Sequence, residues 1–67
     1  MNKVRINEIL MHASSRSFNV DYLVKKQKCS PAEFRELIDD SWISIVGKNK
    51  SNEELYSVTQ KFKDEIW

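Results

Sequence analysis

Apolar residues recur at helical spacing almost from the start of this chain. Ile6, Ile9, Leu10 and Ala13 stand at i, i+3, i+4 and i+7, predicting a first helix over about residues 2–13 with one buried face. Val4 and Met11, seven residues apart, lie on its otherwise polar opposite side. Ser14-Ser15-Arg16-Ser17 breaks the pattern, and Asn19 caps a short second helix. There Phe18 and Leu23 are placed as a hydrophobic staple, with Val20, Leu23 and Val24 turned inward. A third helix is expected from Pro31 to about Val46, burying Phe34, Leu37, Ile38, Ser41 and Ile45. Trp42, Ile43 and Val46 make its end apolar most of the way round, so it reads as the central helix. Gly47 falls where a left-handed C-cap is wanted. Ser51 and Glu54 have the spacing of a capping box opening a fourth helix to about Ile66, with Leu55, Val58, Phe62 and Ile66 as its stripe. The expectation is an all-α, single-domain bundle of about four helices spanning residues 1–67.

The sharpest local signal is Leu23 to Ile38, the end of one helix, a tight turn and the start of another. Ser30 is a strong N-cap, Pro31 suits the first helical position, and Glu33 completes a capping box. Cys29 and Phe34 flank that cap at staple spacing. A helix-turn-helix unit of this kind serves DNA-binding domains and protein-binding hairpins alike.

Composition narrows the classes. One Gly and one Pro in 67 residues is a helical signature, and 40% hydrophobic with 31% charged residues fits a globular chain. A single cysteine precludes an internal disulfide and suggests a reducing compartment. No apolar run approaches the roughly 20 residues that span a bilayer. The first residues lack the apolar core of a signal peptide. The expected location is cytoplasmic.

The net charge of +1 is unevenly spread. Residues 1–29 carry six Lys or Arg against Glu8 and Asp21, a net +4. Residues 30–46 carry Glu33, Glu36, Asp39 and Asp40 against Arg35, a net −3, and residues 47–67 balance. A phosphate-binding protein normally has a basic excess over its docking face. Here an acidic helix stands where a docking helix is expected.

Little in the chain suggests catalysis. His12 and Cys29 are the only residues of their kinds, too few for a zinc site, and Cys29 is accounted for by the staple. The four acidic residues of 33–40 spread over more than half a helix circumference, so none is forced into a shared acid–base site. There is no Gly-rich phosphate loop and no Ser-His-Asp arrangement. The expectation is a non-enzymatic protein with no cofactor, metal or small-molecule substrate. Aromatics are more informative, because Tyr22, Tyr56 and Trp67 lie off the inner stripes. With Val4 and Met11 they are the candidate anchors of a protein interface. Trp67 could equally fold back over the core beside Phe62.

Leu23 to Ile38 resembles the helix-turn-helix of Cro- and repressor-type regulators, with Leu23, Val24, Cys29, Ser30 and Phe34 fitting that frame. Gln27 stands where an apolar residue is usual, and Lys28 replaces the turn glycine. The resemblance implies DNA binding, with Ser30, Ala32 and Arg35 offered to base edges and Lys25, Lys26 and Lys28 to the backbone. Cys29-Ser30-Pro31-Ala32-Glu33-Phe34-Arg35 is also similar to the helical hairpin of the Sin repressor–antirepressor family. That resemblance covers about 16 residues and implies dimerisation by helix packing. The reading taken forward is a small phage- or bacterial-type regulator acting by protein–protein interaction, as a homodimer or as an inhibitor or antirepressor of a target. A helix-turn-helix DNA-binding transcriptional regulator is the alternative.

Overall fold

The computed structural model describes residues 1–67, in which every element follows from identifiable local chemistry. Helix α1 (Lys3–Leu10) begins where the Asn2 side chain accepts the Arg5 N–H at 2.8 Å. Helix α2 (Val20–Lys26) begins where Asn19 accepts from Tyr22 N at 2.9 Å. Helix α3 (Pro31–Asp39) has the full capping box: Ser30 Oγ accepts from Glu33 N, and Glu33 Oε1 accepts from Ser30 N. These N-termini stand where the sequence places them.

The second half of the chain departs from expectation. The protein is not all-α: Ile43–Lys48 forms strand β1 and Glu54–Val58 forms strand β2, paired antiparallel, before a last helix α4 (Gln60–Ile66). The fold is α+β.

Two local causes account for the change. The first is a helix stop well before Val46. Ser41 adopts φ 62°, its N–H donates to Ile38 O, and Trp42 N–H donates to Leu37 O. That is a Schellman ending, with a serine in the left-handed position the sequence suggested for Gly47. Gly47 lies inside β1 and has no positive φ. Ser41 is therefore exposed, and so is Ile45, which the helical reading buried. The second cause lies at residues 49–53. Asn49 Oδ1 accepts from Ser51 N at 2.9 Å and Glu53 N at 3.0 Å, with Asn52 left-handed at φ 63°. These bonds close a hairpin loop, and the expected Ser51–Glu54 capping box does not form. The flanking Ile43, Ile45, Val46, Tyr56 and Val58 are β-branched or aromatic, as a pleated surface favours. One residue, Val46, bulges out between the Ile45–Tyr56 and Gly47–Leu55 pairs.

A third element joins the sheet. Phe18, between α1 and α2, exchanges both backbone hydrogen bonds with Tyr56, at 2.9 and 2.7 Å. Strand β2 thus pairs with β1 on one side and with a single extended residue on the other.

The core gathers residues from every element, among them Ile6, Ile9, Leu23, Leu37, Ile43 and Phe62. It excludes Val20 and Val24, which were expected to face inward and are about 40% exposed. Thr59 fastens α4 to the end of α3, its hydroxyl donating to Ser41 O and Trp42 O and its N–H to Trp42 O. No helix is long and apolar enough to cross a membrane.

Candidate nucleic-acid interface

The α2–α3 turn is built by a residue in an unfavoured conformation. Lys28 adopts φ 55°, the left-handed region in which a glycine is the usual occupant. Its neighbour Cys29 is buried, donating its N–H to Leu23 O at 3.0 Å. The side chain of Lys28 is exposed, as are those of Lys25 and Lys26. All three sit at the C-terminal end of α2, where cations complement the helix dipole.

Helix α3 has two differently engaged sides. Glu33 turns toward α1, where Arg5 Nε and Nη2 meet its two oxygens at 2.7 and 3.0 Å. Arg5 Nη2 also donates to Lys28 O at 3.0 Å, joining α1 to the turn itself. The guanidinium and the Ser30 N–H together hold the Glu33 carboxyl down at about 2. Glu36 lies 3.0 Å from the Met1 amino group. So two of the four acidic residues expected to confront a docked polyanion are occupied within the protein. Asp39 and Asp40 fall at the C-terminal end of α3.

The other side of α3 is open. Pro31, Phe34, Arg35, Ile38 and Asp39 line a shallow groove of about 400 Å³. Phe34 forms its floor against the core, its ring edge-on to Tyr56 at 5.1 Å. Ser30, Ala32 and Arg35, the residues expected at base edges, are all exposed. Arg35 takes part in none of the side-chain hydrogen bonds or ion pairs. The hairpin that follows α3 exposes two further lysines. Lys48 ends β1 and Lys50 lies within the hairpin loop.

The residues expected at a protein interface scatter. Tyr56 is 8% exposed, part of the core, with its hydroxyl donating to Glu54 Oε2 at 2.9 Å. Tyr22 is half-buried, its hydroxyl accepting from Arg16 and Gln27 and its ring beneath the Arg16 guanidinium. The Arg16 bond lowers the Tyr22 hydroxyl pKa. Val4 is 72% exposed and Met11 44%. Trp67 sets its ring against Phe62 at 5.7 Å and still leaves 66% of its surface open. A Lys3–Glu65 ion pair at 3.5 Å links the start of α1 to the end of α4.

The lone histidine and the lone cysteine differ in setting: His12 is exposed, whereas Cys29 is buried. Cys29 is 2% exposed, and burial pushes its thiol pKa up, away from the reactive thiolate. Comparison of the chain with protein-family models, with curated proteins and with solved structures found no match to any of them.

Proposed function

We propose that this chain is a DNA-binding regulator that lays α3 into the major groove and anchors itself through the lysines around the α2–α3 turn. The observation that carries the reading is the turn itself. Left-handed Lys28 joins two short helices so that the second is capped, braced from behind by Arg5, and open along its front. A helix-turn-helix uses its second helix in this way, contacting base edges from the N-terminal residues. The acidic objection weakens, because Glu33 and Glu36 each pair with a cation of the protein, which leaves Arg35 as the unpaired charge in the N-terminal half of α3.

Fluorescence anisotropy with a labelled random duplex, followed from 50 to 200 mM salt, tests it. Binding should be micromolar and weaken with salt. Replacing Lys25, Lys26 and Lys28 by Gln should cut the salt exponent by about 2–3 if each meets a phosphate. No binding at 50 mM salt overturns the reading.

A protein partner, a second copy or a target that the chain inhibits, is the second reading. Val4 and Trp67 favour it: these two large apolar side chains, one on α1 and one just after α4, lie open.

A further inference from the structure

We infer that α3 reads a short element in which a single guanine is flanked by thymines, recognising the guanine through Arg35 and the thymines through their methyl groups. This rests on the DNA-binding reading above and assigns its sequence chemistry.

The inference follows from what the open side of α3 can and cannot offer. Arg35 is the only side chain there with several donors, and nothing within the protein competes for them. An unpaired guanidinium on a groove-facing helix matches guanine O6 and N7 in the bidentate arrangement that is the commonest specific contact to a base. Adenine is read by the paired donor and acceptor of Asn or Gln, and no amide side chain lies on this side of the helix. An A·T pair can therefore be distinguished only from its thymine, whose C5 methyl needs an apolar surface. Pro31 and Ile38, which line the groove with Phe34, and exposed Ala32 supply one on both sides of Arg35. Ala32 lies three residues before Arg35 and Ile38 three after it, so the apolar contacts bracket the guanine.

Asp39 completes the pattern. It stands one helical turn beyond Arg35 and makes no ion pair, and a carboxylate accepts only from the N4 amino group of cytosine among major-groove base edges commonly read by acids. Toward a phosphate, or toward a guanine or thymine edge that offers only acceptors, it repels. Asp39 thus sharpens the guanine requirement by favouring the cytosine of a G·C pair and penalising displacement along the groove.

Selection of binding sites from a randomised duplex library, followed by single-atom changes in the best site, tests this. Replacing thymine by deoxyuridine removes only the methyl group. It should weaken binding about 3- to 10-fold at two or more positions beside the guanine. Replacing guanine by 7-deazaguanine should weaken it roughly 10- to 100-fold, the worth of one bidentate pair. Arg35→Ala should abolish the guanine preference while sensitivity to the thymine methyls persists. Arg35 is exposed, and circular dichroism should report an unchanged fold. Selected sites whose guanine preference survives Arg35→Ala, or that tolerate deoxyuridine throughout, overturn the inference. Duplex binding without any sequence preference also overturns it but leaves the DNA-binding reading standing. Failure to bind any duplex removes both.

Discussion

Arg5 and Glu33, 28 residues apart, form the only two-pronged ion pair in the protein, with nitrogen–oxygen distances of 2.7 and 3.0 Å. One prong of the same guanidinium reaches Lys28 O, so a single side chain holds α1, the turn and the first turn of α3 together. Glu33 also belongs to the Ser30 capping box. The angle at which α3 is presented therefore depends on a residue in a different helix.

The pair makes stability sensitive to acid. Glu33 titrates at about 2 in the fold against an ordinary value of 4.5. Because the folded value is the lower one, its contribution is complete above about pH 4.5 and is lost as the pH falls toward 2. Urea melts across that range should show wild-type stability falling, with a shallower fall in Arg5→Ala. At neutral pH, Arg5→Ala should lower the urea midpoint, and the difference from wild type should shrink as the pH approaches 2.

Ser30→Ala removes the acceptor for Glu33 N while leaving the ion pair in place. A loss of about 1 kcal/mol and a melting temperature lower by several degrees are expected for a chain of this size. Thermal melts followed at 222 nm read it directly. Unchanged stability would show that the cap is dispensable.

Lys28→Gly should raise stability, because glycine adopts a left-handed backbone without the steric cost of roughly 1 kcal/mol borne by other residues. Lys28→Val, β-branched at the same φ, should lower it. On the proposed DNA-binding reading, the same glycine variant should also weaken duplex binding, since it removes one of the three cations at the turn. Stability and affinity are then expected to move in opposite directions, measurable by melts and anisotropy on one sample.

Tyr56 and Trp67 separate core from surface. Tyr56→Ala should cost about 3–5 kcal/mol and leave so small a domain largely unfolded at 25 °C. Trp67→Ala should cost far less, since most of that ring is open. If exposed Val4 and Trp67 bind a second copy, sedimentation of wild type at high micromolar concentration should show a dimer that Val4→Ser and Trp67→Ala both dissociate. A monomer at that concentration counts against self-association there.

The parts of the fold legible in the sequence are those written within four or five residues. Asn2, Asn19 and Ser30 each bond a backbone N–H three positions on, and the sequence placed all three helix starts. What failed was the distinction between two periods. Leu37, Ile38, Ser41, Trp42 and Ile45 satisfy a helical repeat that the chain abandons at Ser41, a left-handed serine that no glycine announces. The hairpin did leave a trace: Asn49-Lys50-Ser51-Asn52 is a cluster of turn formers between two runs rich in β-branched and aromatic residues. Tyr56 shows the consequence for the candidate interface. On a helix it falls off the stripe of Leu55, Val58 and Phe62, whereas on a strand it shares the inner face with Val58. Its bridge to Phe18 joins residues 38 apart, beyond the reach of any local pattern. The exposure of Lys25, Lys26, Lys28 and Arg35 was legible because it needs only α2 and α3 to be right. Lys48 and Lys50 were not, because their place depends on the hairpin.

The bulge at Val46 has a consequence for how the protein survives at high concentration. Strand β1 has one edge with no strand beside it, and it carries Ile45 and Val46 with 58% of each exposed. A flat strand of that composition is a template on which further chains could stack into fibrils. The extra residue kinks the strand midway and puts its unpaired amides out of step, so an incoming strand finds no continuous ladder to extend. Deleting Val46 would straighten that edge, and the expected phenotype is precipitation on storage, with no need for any loss of folding stability.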